Sequence, residues 1–502
     1  MKILLLFLLA LASGLALSGD LYQQNCGSCH GADRFGGMGP ALLPENLSRL
    51  KKPEAARMIR DSRAGVQMPA FKEKLTAQEI EQLVELIYSP VVPAPRWGEA
   101  EIQASRALHA KPAPRDKPVF SADPLNLFVV VEAGDHHVTI LDGDRLEPIR
   151  RFATRYALHG GPKFSPDGRY VYFASRDGWI TKYDLWGLET LAEVRAGINT
   201  RNAAVSSDGK YVAVANYLPH SVVILDSELG FLKEIRTGSR VSAVYDAAPR
   251  KSFVVALKDL PELWEISYDT KAEPIAAGLV HDWAFREGAF VPGFLNARRT
   301  ELEEVLDDFF FTPDYRQVVG ASRDGKRGQV VHLDVRRRIA TLELPGLPHL
   351  GSGITWQRGA ARVMATPNLR EGLVTVVDVA SWKTVKQVPT PGPGFFLRSH
   401  EQSRYVWADS MMGAQGRDTL TVIDKETLEV AARLRPEPGK TLAHVEFDRH
   451  GRYALASLWE QEGALVVFDA ATLAVVKRIP MRKPAGKYNV GNKIQRSEGT
   501  SH

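Results

Sequence analysis

The chain has 502 residues, 64 of them Lys or Arg and 59 Asp or Glu, and its formal charge of +5 is small and diffuse for that length. No basic stripe with interleaved aromatics stands out, and runs such as Arg336-Arg337-Arg338 read as solvated faces beside strands, so nucleic acid is excluded as a partner. Two cysteines exclude a disulfide framework, and at roughly 150 residues per domain the length predicts two or three domains unless a propeller or barrel absorbs it.

Met1-Lys2, the apolar run Ile3–Leu17 and a small-residue site near Ala16-Leu17-Ser18 read as a secretory signal over residues 1–18. The run is short for an uncleaved anchor, and no later apolar stretch approaches the ~20 residues a membrane helix needs. The mature protein is expected to be soluble and periplasmic, with no membrane span.

Residues 19–90 predict a small all-α c-type cytochrome domain. Both cysteines fall in Cys26-Gly27-Ser28-Cys29-His30. That spacing lets two thiols bond the vinyl groups of a haem while His30 becomes the first iron ligand, so one covalent haem c is predicted. Leu21–Gly31 is expected as the attachment helix, with further helices over Glu54–Asp61 and Thr76–Tyr88. The last opens on the capping box Thr76-Ala77-Gln78-Glu79 and lines up Ile80, Leu83, Val84 and Ile87. Met68 is the predicted sixth ligand, as in small class I cytochromes c; Met38 sits too close to the attachment helix. A thioether ligand raises the haem potential and favours accepting electrons. Pro90-Val91-Val92-Pro93-Ala94-Pro95 opens a stiff linker assigned to residues 91–115.

From residue 116 onward short β-rich runs recur. Each opens on a turn, as in Phe164-Ser165-Pro166-Asp167-Gly168-Arg169-Tyr170 and Phe447-Asp448-Arg449-His450-Gly451-Arg452-Tyr453, and closes on an aspartate. Closing aspartates at 142, 184 and 226 are 42 apart; those at 334, 378, 424 and 469 follow at 44, 46 and 45. Such periods mark propeller blades. The 108 residues between Asp226 and Asp334 leave room for two units plus an insertion over Leu279–Thr300, so 116–502 predicts an all-β eight-bladed propeller.

Four histidines, His159, His349, His400 and His444, each precede a strand that opens a blade. Such stretches line one end of a central channel, so the four are expected to converge. Arg176, Arg201 and Arg240 fall at comparable positions, where guanidinium forks suit a ligand bearing several carboxylates.

Together these residues make the chain resemble the cytochrome cd1 family, an N-terminal c-type cytochrome followed by an eight-bladed haem d1 propeller. The carriers are Tyr156-Ala157-Leu158-His159, Ser175-Arg176-Asp177-Gly178 leading to Tyr183-Asp184-Leu185-Trp186, Pro348-His349, His400 and Pro484-Ala485-Gly486-Lys487-Tyr488-Asn489-Val490. The resemblance implies that His159 binds the d1 iron and that His349 and His400 line the distal pocket. It also implies that Arg176, Arg201, Arg240, Tyr245 and Tyr488 surround the macrocycle. Two activities are implied: reduction of nitrite to nitric oxide, and oxidation of a dihydro-haem d1 propionate to the acrylate of haem d1.

The second is the expectation here. Almost no arm precedes Cys26, Glu304–Phe310 is closer to the biosynthetic relatives, and His444 stands where the reductases keep no histidine. The proton acceptor is expected to be His444, with His349 and His400 as alternates or relays. Electrons would pass to haem c and then to a periplasmic acceptor cytochrome, and haem d1 to a cd1 nitrite reductase. A non-catalytic haem d1 carrier is the reading from outside the enzymes.

Overall fold

The computed structural model describes residues 18–37, 39–47, 50–61, 68–93, 95–110, 115–281, 287–321, 327–496 and 498. The signal sequence up to residue 17 and Met38 lie outside the described residues.

The first unit is helical. Residues 18–25 form a helix, and after a turn at Cys26 a short helix spans Gly27–His30, so the haem motif straddles a break in the helix. Helices Lys52–Asp61 and Ala77–Ile87 follow. The Thr76 hydroxyl accepts the Glu79 N–H while the Glu79 carboxylate accepts the Thr76 N–H, which satisfies two otherwise orphaned donors. Ile80, Leu83, Val84 and Ile87 then bury one face against Tyr22, Ala55, Ile59, Phe71 and Leu75.

The segment expected as a bare linker is largely structured. It carries a helix over Glu99–Ser105 and a strand over Ala107–Leu108 that pairs with Glu189–Arg195 as a fifth strand on blade 2. Ile102 is fully buried between blades 2 and 3. The prolines stiffen only its first residues; apolar Ile102 and Trp97 then hold it to the propeller. Trp97 Nε1 donates to the Arg195 carbonyl (2.8 Å), and the Arg195 guanidinium stacks 4.6 Å above that ring. The same guanidinium donates to the Asp177 carbonyl (2.9 Å) and to the Phe35 carbonyl of the cytochrome unit. Arg195 thus ties the loop after Cys26–His30 to the propeller.

Eight antiparallel sheets form the ring, seven of four strands and blade 2 of five. The innermost strands of blades 2 to 8 are Lys163–Phe164, Asn199–Val205, Val241–Ala247, Phe309–Phe311, Ile354–Arg358, Leu397–Arg398 and Leu442–Phe447. Blade 1 closes the ring by pairing the C-terminal strand Pro484–Asn489 with Leu127–Glu132. The expected insertion is a separate hairpin, Ile275–His281 with Glu287–Val291, while Ala297–Glu301 is the outer strand of blade 4.

The repeat has a local cause. Asp142, Asp226, Asp424 and Asp469 each accept N–H groups two to four residues on, closing the turn to the outer strand. Within those turns Leu146, Leu229, Leu428 and Leu473 take φ of 57°, 62°, 59° and 63°, a left-handed conformation. Leu146, Leu229 and Leu428 are buried there, and that burial offsets the strain.

Asn126 latches the closure. Fully buried, its Oδ1 accepts the Arg449 N–H (2.9 Å) of blade 8 and the Asn489 amide (3.1 Å) of the closing strand. Asn126→Ala would strand both donors, and a loss of about 1–3 kcal/mol is expected. A denaturant midpoint unchanged from wild type would contradict this latch.

Candidate active site

In the cytochrome unit His30 is buried, and its Nδ1 lies 2.8 Å from the Pro40 carbonyl. A carbonyl only accepts, so Nδ1 carries the proton and Nε2 keeps its lone pair for a metal. A Cβ on Gly39 would stand 2.7 Å from the imidazole, so only glycine lets the chain pass this ring. Cys26 and Cys29 form no disulfide, and Cys26 and Met68 both pack against the helical core. Two free thiols, a tautomer-locked imidazole and a thioether fit a covalently attached haem c.

All inner strands of the ring run the same way. Residues at or before their starts collect at one end of the hub, the upper end, and the turns that follow them at the other. His159 lies before the inner strand of blade 2, held by its N–H to the Ala174 carbonyl (2.8 Å). Its Nδ1 donates to the Arg201 carbonyl of blade 3 (2.8 Å), which fixes the tautomer with Nε2 as the unprotonated nitrogen, by the same logic as at His30. His349 repeats the arrangement, Nδ1 donating to the Phe395 carbonyl (2.8 Å) of the next blade, with Nε2 3.9 Å from Asp308 Oδ2. Burial lowers the His349 pKa below the usual value, while the Asp308 charge acts in the opposite sense.

His444 differs in kind. It sits within the strand Leu442–Phe447, at a bulge between Ala443 and Val445, with φ of 48°. Bulges and left-handed non-glycine residues redirect side chains and mark functional positions. The backbone is held from both sides: Asp409 Oδ2 accepts the His444 N–H (3.1 Å), and Lys487 Nζ donates to the His444 carbonyl. The ring lies 4.5 Å from Phe396 and 5.2 Å from Tyr488, and its Nδ1 has no hydrogen-bond partner among the described residues. Burial, then the Lys487 charge, hold this imidazole well below its usual pKa, so it is unprotonated at physiological pH, with its ring nitrogens able to accept a proton only from a donor brought against them.

Asp409 escaped the sequence reading. It belongs to a recurring Asp/Asn near the end of the second strand or in the loop after it, where Asn216, Asp259 and Asn368 each bond a residue at the opening of their own blade. Asp409 does the same, its Oδ1 accepting Phe395 (2.7 Å) and Phe396 (3.2 Å) N–H groups, and also reaches His444 of the next blade. Through Phe395 it is connected to His349 as well. Burial pushes its pKa up to about 6.

The other expected residues divide. Arg201 reaches the upper site, Nε donating to the Ser242 carbonyl (3.0 Å), an anchor that directs the fork of terminal amino groups suited to a carboxylate. Arg176 is exposed at the upper rim. Arg240 is also there, but bidentate to Asp259 (2.9 and 2.6 Å), so it binds a substrate carboxylate only by sharing or exchanging that partner. Tyr245 donates to Asp308 (3.2 Å) and Tyr488 abuts His444, both within the hub wall.

His400 does not join them. It follows the inner strand Leu397–Arg398 rather than preceding it, in the turn at the lower end, where it is buried and its Nδ1 accepts the Gln402 N–H (3.1 Å). Its position corresponds to the Ser165–Asp167 turn of blade 2, a likeness that the missing Pro-Asp-Gly signature concealed. The expectation that four histidines converge is corrected to three.

The chain matches the Cytochrome D1 heme domain family over residues 122–284 and 293–493, and the cbb3-type cytochrome c oxidase subunit III family over residues 17–87. It is 52% identical to the Dihydro-heme d1 dehydrogenase of Pseudomonas aeruginosa, the alignment covering 100% of both chains. It is 25% identical to the Nitrite reductase of Stutzerimonas stutzeri over 95% of this chain and 92% of that one. A solved structure of dihydro-heme d1 dehydrogenase NirN in complex with DHE superposes with a TM-score of 0.86 at 52% identity, covering 95% of this chain and 100% of that one. An N-terminal cytochrome c unit joined to an upper hub site of locked histidines, matched along most of the propeller, makes this chain a member of the cytochrome d1 heme domain family.

Proposed function

We propose that the upper hub binds dihydro-haem d1 and oxidises one propionate to an acrylate. The full-length relationship to a dehydrogenase of that substrate carries the activity, and the strained, neutral His444 carries the mechanism. In the reaction –CH2–CH2– becomes –CH=CH–: two C–H bonds break, one π bond forms, and two protons and two electrons leave. Haem c supplies a one-electron acceptor, and its oxidised form is restored by a periplasmic acceptor cytochrome.

His159, its ring oriented by the Arg201 carbonyl, would hold the iron of the bound tetrapyrrole through Nε2. The Arg201 and Arg176 guanidiniums hold carboxylates of the macrocycle, and this positioning sets the reacting carbons against His444. Arg201 also stabilises negative charge developing beside the carboxylate as the α-proton leaves. His444 takes that proton, with the Tyr488 hydroxyl as the adjacent polar group. Reduction of nitrite would need His349 and His400 together in the distal pocket as proton donors, and the lower-end position of His400 disfavours it. The chain acts in the periplasm and hands haem d1 to a cd1 nitrite reductase. Among the described residues no helix is long and apolar enough to cross a membrane.

His444→Ala is expected to bind dihydro-haem d1 normally and to desaturate it about 10²–10⁴-fold more slowly, as for loss of a general base. Single-turnover conversion at the wild-type rate would remove His444 from the mechanism. Because His444 is already neutral, no acid limb belonging to an ordinary imidazole is expected in kcat. Asp409 is a carboxylate above about 6 and takes up a proton as the pH falls through that value, so activity is expected to decline there. In Asp409→Asn that limb should be absent from the lower residual rate; a limb that persists in this variant contradicts the assignment. Met68→Ala should lower the haem c midpoint potential, since the Met/His ligand pair raises it. An unchanged potential would place another residue on the iron.

A further inference from the structure

Below the upper site the hub contains a second space, a cavity of about 440 Å³ lined by Tyr245, Lys163, Ser206, Thr312, Lys493 and Arg496, among others. Ser206 and Thr312 belong to turns that follow inner strands, so the cavity lies at the end opposite the substrate-binding rim. One line of polar groups joins the two spaces. His349 Nε2 faces Asp308 Oδ2 at 3.9 Å, Asp308 Oδ1 accepts the Tyr245 hydroxyl at 3.2 Å, and Tyr245 forms part of the cavity wall. Asp308 is fixed for this task, its two oxygens receiving the N–H groups of Phe309 (2.9 Å) and Gly351 (2.8 Å). A Cβ on Gly351 would stand 2.4 Å from Asp308 Oδ2 and 3.2 Å from the Tyr245 hydroxyl, so glycine keeps the junction open.

We infer that the lower cavity is the proton exit of the enzyme, fed from the upper site through His349, Asp308 and Tyr245. The inference rests on the dehydrogenase reading, which requires two protons to leave the site for each propionate oxidised. A planar macrocycle seated across the upper rim obstructs the direct way back to solvent, whereas the lower cavity opens at the far end. His349 suits the first transfer. Its Nδ1 proton is committed to the Phe395 carbonyl, so a proton acquired at Nε2 is the one it returns, and Asp308 is the acceptor facing it. The Tyr245 hydroxyl both accepts and donates, and passes the proton to water in the cavity. There Lys163 lies 5.8 Å from the Tyr245 ring, its pKa brought down to about 8 by burial and by Arg496 and Arg201, so it exchanges protons near neutral pH. No proton is created or lost along this line: the α-proton goes first to His444 and from there across the upper site to His349 Nε2, the second proton goes to His349 Nε2 as the double bond forms, and each leaves at the lower mouth.

The test uses the full-length haem-loaded protein and dihydro-haem d1 in stopped flow, with a pH-indicator dye and the haem c absorbance followed together. Tyr245→Phe keeps the ring and removes the relay hydroxyl. Ser207→Trp, in the turn beside Ser206, fills the lower cavity without touching the upper site. Ser207→Trp should bind the tetrapyrrole within about twofold of wild type, and both variants, compared at saturating tetrapyrrole, should release protons about tenfold more slowly, with release lagging haem c reduction. Proton release at the wild-type rate in Tyr245→Phe overturns the relay, and the same result in Ser207→Trp overturns the exit. If Ser207→Trp does not fold, Tyr245→Phe alone decides. A wild-type protein that leaves dihydro-haem d1 unchanged and instead reduces nitrite sinks the functional reading itself, a result distinct from normal turnover in the variants.

Discussion

Three imidazoles in this protein, His30, His159 and His349, are each pinned by an Nδ1–H donated to a backbone carbonyl at 2.8 Å. The chemistry described here depends on that constraint. An imidazole free to rotate or change tautomer presents either nitrogen; one tied through Nδ1 presents only Nε2, at a position set by the main chain. In the cytochrome unit the carbonyl belongs to Pro40, in the loop that wraps the haem motif. In the propeller the carbonyls of Arg201 and Phe395 belong to the following blade, so the closed ring itself orients its ligands. Closure by Pro484–Asn489 is therefore a functional requirement as well as a structural one, and it also delivers Lys487 and Tyr488 to the His444 bulge.

His444 marks the contrast between ligand and base. It has no carbonyl for Nδ1, it occupies a left-handed conformation, and two charged side chains, Asp409 and Lys487, hold its backbone rather than its ring. Burying a histidine without a ring partner costs stability, and doing so beside a lysine further disfavours its protonated form. Those costs make sense at a position where substrate completes the environment. Arg195 supplies the remaining link, joining the haem-bearing loop at Phe35 to the rim loop of Arg176 and Asp177 through one guanidinium.

Much of this was legible in the chain itself. Cys26–His30 states its chemistry through spacing, and the closing aspartates reveal the blades because each performs the same local task, capping a turn whose left-handed residue buries its side chain. Residues whose role depends on a neighbouring blade were not legible. Nothing around Asp409 announces that one carboxylate serves Phe395 and His444, and Lys487 reads as an ordinary strand residue. His400 misled for a related reason. The strand before it has only two residues, Leu397–Arg398, so periodicity could not tell the turn that follows from the stretch that precedes. In the linker the prolines mark a chain break more strongly than Trp97 and Ile102 mark docking onto the propeller, which hides the helix over Glu99–Ser105.

Oxidation in the hub draining into the tethered haem is the step on which the proposed mechanism stands. Anaerobic mixing of the ferric protein with dihydro-haem d1, followed by product analysis, tests it most directly. Two haem c equivalents should be reduced for every acrylate-bearing macrocycle formed. Conversion of the tetrapyrrole while haem c stays oxidised, or reduction of haem c with no new double bond, would contradict it.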